Sequence, residues 1–136
     1  MPKVLISDKM DPNAAAIFRA NGVEVDEKPD LTKDELKAII GGYDGLAIRS
    51  ATKVTAEILE SAPNLKVIGR AGIGVDNVDI PNASAKGVVV MNTPFGNSIT
   101  TAEHAIALMF ALARQLPDAN APVSYTHLTL PTTERV

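Results

Sequence analysis

The chain has 136 residues, no cysteine, 46% hydrophobic residues and a formal net charge of -3. This length and apolar fraction are typical of one compact globular domain. Without cysteine, a disulfide framework and a thiolate metal site are both excluded. The acidic and basic residues are interspersed, so no basic stripe is present that would bind a phosphate backbone, and nucleic acid is not an expected partner.

The amino-terminal segment MPKVLISD has a short apolar run and no small-residue cleavage signature, so it predicts a first strand rather than a signal peptide. The longest apolar run, residues 105–113, is well short of the roughly 20 residues that a membrane helix needs. We therefore expect a cytoplasmic protein with no membrane partner.

Short runs rich in Val and Ile alternate with segments of helical period, which is the pattern of repeated βα units. The predicted strands are residues 3–7, 23–26, 45–49, 65–69 and 88–91. The predicted helices are residues 12–21, 33–40, 55–60, 80–86 and 98–115. Right-handed crossovers predict an α/β fold with a doubly wound parallel sheet in the flavodoxin-like order 2-1-3-4-5.

Local signals mark several of these elements. Pro12 suits the first turn of a helix, Thr32 and Glu35 form a capping-box pattern, and Gly22 and Gly87 suit helix ends. The second strand is polar enough for an edge, whereas the apolar fifth strand is typical of one covered on both faces. The last helix is apolar all round, which predicts partners on more than one side, either a second subunit or a second domain.

Candidate ligand-binding residues follow the strands, because ligands of doubly wound sheets bind beyond the carboxyl ends of the strands. The segment GRAGIGVDNVD follows the fourth strand. Glycine at Gly72 and Gly74 makes positive φ accessible and lets backbone N–H groups near Ile73 approach an anion. The segment lacks the third glycine of a dinucleotide fingerprint, and a plain tight turn is the alternative interpretation.

Arg49 and Ser50 follow the third strand, where a guanidinium and a hydroxyl offer donors to an anion. A surface arginine paired with an acid is the alternative. Arg70 is a weaker candidate of the same kind. Asn97 precedes the long helix, where its amide would contact a substrate or only cap the helix. Asp8 would be half of a metal-binding pair, yet the other strand ends supply cations, so no metal site is predicted.

The segments AGIGVDNVD, KGVVVMNTP and GNSITTAEHAIALMFALAR resemble the D-2-hydroxyacid dehydrogenase family, and IRSATKVT is most similar to its phosphoglycerate branch. The resemblance runs from Met1 to about Ala121. It implies an NAD-dependent oxidoreductase that converts 3-phospho-D-glycerate, a phosphorylated hydroxy acid, to 3-phosphohydroxypyruvate in serine biosynthesis. It also implies a homo-oligomer that associates through the cofactor domain.

The resemblance implies roles for particular residues. Substrate contacts are implied for Arg49, Ser50, Arg70, Gly72, Ile73 and Asn97. Contacts with the nicotinamide of NAD are implied for Ile73 and Thr101. The family's catalytic arginine, glutamate and histidine lie beyond the part of the pattern that this chain follows, so no catalytic residue is predicted and the isolated chain is expected to be inactive.

No glycine occurs after Gly96, so a dinucleotide-binding turn cannot follow the long helix. We therefore predict part of a substrate-binding domain in residues 1–97 and the first helix of an NAD-binding domain in residues 98–122. Residues 123–136 look like a translated sequencing adapter and are predicted to be a non-native tail; a flexible terminus is the alternative.

Other functions remain open at this point: another D-2-hydroxyacid dehydrogenase, a free-standing small-molecule-binding module, or a receiver-like signalling module of the same topology. A receiver needs a phosphorylatable aspartate at the end of the third strand. Arg49 and Ser50 occupy that place, which disfavours phosphotransfer.

Overall fold

The computed structural model describes residues 1–120. The predicted non-native tail, residues 123–136, lies outside the described residues. The chain divides into two compact units, Met1–Gly96 and Asn97–Val136. The first unit contains a five-stranded parallel sheet in the order β2-β1-β3-β4-β5, which confirms the predicted doubly wound topology.

The strands are β1 (Lys3–Ile6), β2 (Glu24–Glu27), β3 (Gly45–Ile48), β4 (Val67–Arg70) and β5 (Val89–Asn92). The helices are α1 (Pro12–Ala20), α2 (Lys33–Ile39), α3 (Ala56–Glu60), α4 (Ile80–Ala85) and α5 (Ser98–Ala113), with a 3-10 turn at Ile40–Gly42. Every predicted element is present. The fourth strand begins later than predicted, because Leu65 lies in a turn, where its N–H donates to the carbonyl of Ala62, and fills the core from there.

Side-chain caps fix the helix starts. The hydroxyl of Thr32 accepts from the Glu35 N–H at 3.3 Å, and the Glu35 carboxylate accepts from the Thr32 N–H at 2.8 Å, which confirms the predicted capping box. Asp11 caps α1 by accepting from the N–H of Asn13 at 2.8 Å. Gly22 and Gly87 follow helices with φ of 74° and 70°, as helix-ending glycines do.

The two faces of the sheet are covered unequally within the first unit. Helices α2, α3 and α4 bury one face around Leu46 and Ile68. On the other face α1 packs over β1 and β2, around Ala15. Because β5 lies at the opposite edge from α1, Val89 and Met91 are each 58% exposed. The prediction that β5 is covered on both faces is therefore wrong for the residues described.

The second unit contains α5, which begins after Asn97. The side chain of Asn97 makes no capping hydrogen bond, although its carbonyl accepts from the N–H of Thr101 at 2.9 Å. None of the residues of α5 is buried. Among residues 1–120, no helix is both long enough and apolar enough to cross a membrane.

A polar cluster links Lys3 of β1 and Asp26 of β2 to Tyr43, which precedes β3. The hydroxyl of Tyr43 donates to the carboxylate of Asp26 at 2.7 Å, and Lys3 Nζ lies 3.0 Å from the same carboxylate. The Tyr43 hydrogen bond and then Lys3 lower the pKa of Asp26. Burial, followed by the hydrogen bond to Asp26, raises the pKa of Tyr43 to about 12.

Replacing Tyr43 with phenylalanine should lower the free energy of unfolding by about 1 kcal/mol at neutral pH, the usual contribution of one hydrogen bond. The lowered pKa of Asp26 stabilises the fold above the ordinary carboxyl pKa, and this contribution is lost as the pH falls through the lowered value. The difference in the free energy of unfolding between wild type and Tyr43→Phe should therefore become smaller in acid.

The raised pKa of Tyr43 stabilises the fold below the ordinary phenol value of 10.0, and this contribution is lost as the pH rises toward about 12. Only the wild type should show this alkaline loss. Urea denaturation of both proteins in acidic, neutral and alkaline buffer measures these effects. If the difference in the free energy of unfolding stays the same in all three buffers, the hydrogen bond between Tyr43 and Asp26 does not cause the shifted pKa values.

Candidate anion-binding site

The loop of residues 49–52, which follows β3, rests on the carboxylate of Asp8. Asp8 follows β1 and is only 6% exposed. Its Oδ2 accepts from the backbone N–H of Arg49 at 2.6 Å, and its Oδ1 accepts from the hydroxyl of Thr52 at 2.5 Å. The backbone N–H of Thr52 lies 3.1 and 3.2 Å from the two oxygens. Three donors from one loop therefore satisfy this buried carboxylate.

Asn77 holds the same loop from another side. Its Nδ2 donates to the carbonyl oxygens of Arg49 at 2.8 Å and Thr52 at 2.6 Å. The backbone carbonyl of Asn77 accepts from the N–H of Val54 at 2.8 Å. Because Asn77 belongs to the segment that contains the glycine-rich turn, these bonds connect that segment to the 49–52 loop.

The side chains of Arg49 and Ser50 are exposed at this edge. Arg49 Nη1 donates to the carbonyl of Lys9 at 3.2 Å, and Arg49 forms no ion pair with any residue from 1 to 120. The alternative of an arginine paired with an acid is therefore wrong for the described residues. A cleft of about 250 Å³ lies here, lined by Ser7, Asp8, Lys9, Asp30, Leu31, Arg49, Ser50, Ala51 and Thr52.

The glycines of the turn after β4 lie close to charged side chains and do not adopt the left-handed backbone conformation. Neither Gly72 nor Gly74 has a positive φ, so the prediction that their conformational freedom is used there is wrong. A Cβ on Gly72 would lie 2.7 Å from Nη1 of Arg70. A Cβ on Gly74 would lie 2.8 Å from Oδ1 of Asp76. The turn therefore closes against the ends of two charged side chains, which an added methyl group would displace.

Arg70 differs from Arg49 because its side chain is only 12% exposed. Its guanidinium lies against the glycine-rich turn, with Nη2 3.9 Å from Oδ1 of Asp76. Its buried Nε has no hydrogen-bond partner among the described residues. Arg70 thus supports the turn from within, and its predicted contact with a substrate stays a prediction.

The backbone of the turn offers two N–H groups to a ligand. The N–H of Gly72 donates to the carbonyl of Arg70 at 3.0 Å and is already used. The N–H groups of Ile73 and Gly74 donate to no acceptor in the described part of the chain. Adjacent free N–H groups of this kind attract anions.

Two residues that the sequence interpretation missed anchor the carbonyls of the turn. Asn92 Nδ2 donates to the carbonyl of Ile73 at 2.7 Å, and the N–H of Thr93 donates to the carbonyl of Gly72 at 3.0 Å. Both follow from the parallel pairing of β4 with β5, in which Arg70 stands opposite Asn92. No local sequence signal marks them.

The parallel sheet brings the predicted residues of the first unit to its carboxyl edge, the side on which the carboxyl ends of the strands lie. Ile48 stands opposite Arg70 in the pairing of β3 with β4, so Arg49 and Ser50 leave the sheet beside the glycine-rich turn. Asn97 and Thr101 belong to the second unit, and their predicted roles stay predictions.

The carboxyl edge of the sheet combines a guanidinium that forms no ion pair among residues 1–120, a hydroxyl and two free backbone N–H groups. These donors suit a small molecule with more than one anionic group. Among residues 1–120, no group of three or more His, Asp or Glu side chains is placed to hold a metal ion.

The family profile of "D-isomer specific 2-hydroxyacid dehydrogenase, catalytic domain" matches residues 4–135. D-3-phosphoglycerate dehydrogenase of Archaeoglobus fulgidus is 49% identical over 121 residues, which are 89% of this chain and 23% of that protein. The human enzyme of the same name is 51% identical over 119 residues, 88% of this chain and 22% of that protein. The chain thus spans less than a quarter of the length of these relatives.

Solved structures show the same fold. A Thermus thermophilus protein matches 97% of this chain and 43% of its own length, with a TM-score of 0.80 and 30% identity. The NAD+-bound 3-phosphoglycerate dehydrogenase of Entamoeba histolytica matches 81% of this chain and 38% of its own length, with a TM-score of 0.71 and 32% identity. The chain belongs to the D-isomer-specific 2-hydroxyacid dehydrogenase family, and the receiver-like alternative is wrong.

The close approach of Gly72 to the guanidinium of Arg70 can be tested by substitution. Gly72→Ala should displace the guanidinium of Arg70, since the added Cβ would lie 2.7 Å from Nη1. The guanidinium is the end of a flexible side chain, so the free energy of unfolding should change by less than about 1 kcal/mol.

The NMR signal of the Arg70 Nε–H group should shift clearly in Gly72→Ala. Gly69→Ala is the matched control, because a Cβ at Gly69 meets no atom within 4 Å. Equal shifts in the two variants, or none in either, would contradict the account of why Gly72 is glycine.

Proposed function

We propose that this chain forms the substrate-anion-binding part of an NAD-dependent D-3-phosphoglycerate dehydrogenase, which oxidises 3-phospho-D-glycerate to 3-phosphohydroxypyruvate in serine biosynthesis. The observation that carries the proposal is the carboxyl edge of the sheet. Arg49, which forms no ion pair among residues 1–120, follows β3 there, and the free N–H groups of Ile73 and Gly74 follow the neighbouring strand β4. About half of the residues are identical to those of enzymes with this name, which supports the choice of substrate.

The proposed substrate carries a carboxylate and a phosphate, and the edge offers a separate set of donors for each. The N–H groups of Ile73 and Gly74 suit the carboxylate, which two adjacent donors can bind together. The guanidinium of Arg49 and the hydroxyl of Ser50 suit the phosphate, because arginine offers a planar pair of donors to phosphate oxygens. Asn97 is a further proposed substrate contact.

The chain's own residues do not fit the phosphates of NAD. The dinucleotide-binding turn needs closely spaced glycines at the start of a helix, and no glycine follows Gly96. The turn at Gly72–Gly74 has its first N–H occupied and lies against Arg70. Contacts of Ile73 and Thr101 with the nicotinamide remain proposals, and other residues of the whole enzyme would bind the dinucleotide. We expect no dehydrogenase activity from this chain by itself.

We also expect the whole enzyme to be a cytoplasmic homo-oligomer. The sixteen-residue helix α5 supports an association role, because it is apolar and none of its residues is buried.

Arg49→Ala should weaken the binding of 3-phospho-D-glycerate by about 1.5–3 kcal/mol, the range for a charge-assisted hydrogen bond. Titration calorimetry with the full 136-residue chain measures this change. Arg19→Ala is the matched control, because Arg19 is a surface arginine paired with Glu27 at 3.0 Å and lines no part of the cleft. A wild-type chain without saturable binding, or an Arg49→Ala variant that binds like wild type, would contradict the proposal.

A further inference from the structure

We propose that Asp8 and Asn77 are positioning residues that hold the 49–52 loop in the shape that presents Arg49 and Ser50 to an anion. This inference rests on the proposed function, since it concerns the same site. Neither residue needs to touch the substrate. Both act through hydrogen bonds to the backbone of the loop.

Asp8 fixes the loop at its two ends. The loop begins with the N–H of Arg49 and closes with the N–H and hydroxyl of Thr52, and all three groups donate to the one carboxylate. Two donors separated by three positions can share one carboxylate only if the chain between them is bent. Ser50 lies inside this bend, so the carboxylate restrains the backbone that carries its hydroxyl.

Asn77 holds the two carbonyl groups at the same positions. Its Nδ2 donates both of its hydrogens, one to Arg49 and one to Thr52, so the N–H groups of the bend are bound by one residue and its carbonyls by another. Asn77 Oδ1 is buried and has no hydrogen-bond partner among residues 1–120. The side chain of Asn77 therefore acts on the loop as a donor only, through these two bonds.

The two residues also connect the donor sets proposed for the phosphate and the carboxylate. Asn77 belongs to the segment that begins with the glycine-rich turn, and the bridge between Val54 and Val78 joins that segment to the chain after the 49–52 loop. A change in the loop therefore alters its distance from the free N–H groups of Ile73 and Gly74. The binding of a ligand that carries a carboxylate at one end and a phosphate at the other depends on that distance.

The experiment measures the Kd for 3-phospho-D-glycerate by NMR titration of the full chain, together with the free energy of unfolding. Asp8→Ala should raise the Kd at least about tenfold, because misplaced donors lose much of their effect. Asn77→Ala should do the same. Asn77 is only half-buried, so this variant tests the inference even if Asp8→Ala does not fold.

Asp44→Ala is the matched control. Asp44 also accepts a backbone N–H, that of Lys3 at 3.0 Å, and a side-chain donor, Lys66 Nζ at 2.8 Å. It precedes β3 and therefore lies at the amino edge of the sheet. We expect Asp44→Ala to destabilise the fold while leaving the Kd unchanged.

Asp8→Asn should retain the binding of 3-phospho-D-glycerate that Asp8→Ala loses. One amide oxygen can accept from both backbone N–H groups, as Oδ2 of Asp8 already does at 2.6 and 3.2 Å. The amide nitrogen can then donate to the Thr52 hydroxyl, which turns to donate to Ser7, 2.9 Å away. The Kd of Asp8→Asn should stay within about threefold of wild type, because the hydrogen-bonding capacity of the site is retained.

A rise in Kd that is equal in Asp8→Ala and Asp44→Ala would overturn the inference, because it would reflect general destabilisation. Unchanged binding in both Asp8→Ala and Asn77→Ala would overturn it as well, while leaving the proposed function intact. The proposed function fails separately, if the wild type itself shows no saturable binding, and the positioning role then fails with it.

Discussion

One buried carboxylate, that of Asp8, determines the shape of the candidate site. It accepts from three donors of the 49–52 loop. A carboxylate in such a place would be costly to bury without these partners. The bonds therefore couple the end of β1 to the loop after β3. Because the loop donors already satisfy Asp8, the positive charge of Arg49 stays available to a ligand.

The parallel sheet makes this coupling possible. β1 pairs with β3 and β3 pairs with β4, so three successive carboxyl ends lie side by side. Asp8, the 49–52 loop and the glycine-rich turn each leave one of these ends. The strands fix where each of these loops begins, and hydrogen bonds between the loops fix their conformation. Ligand-binding residues on loops that a rigid scaffold positions are the common arrangement in α/β folds.

The strand order and the capping box of Thr32 and Glu35 could be predicted from sequence, because they rest on local patterns and on topology. The substrate contacts of Arg49, Ser50 and Ile73 stay predictions. The roles of Asp8 and Asn77 could not be predicted from sequence. Asp8 contacts residues 41 and 44 positions away, and Asn77 contacts residues 28 and 25 positions away, so no local pattern contains either pair. The glycines were expected for positive φ, yet the space they leave for Arg70 and Asp76 depends on side-chain packing.

The most direct test of the account is an amide NMR map of the wild-type chain titrated with 3-phospho-D-glycerate and, separately, with NAD. The account predicts saturable shifts from the phosphorylated acid at Arg49, Ser50, Ile73 and Gly74, and no comparable shifts from NAD. Shifts confined to the amino edge around Asp44, or micromolar binding of NAD, would contradict the claim that this chain carries the substrate anion site and lacks the dinucleotide site.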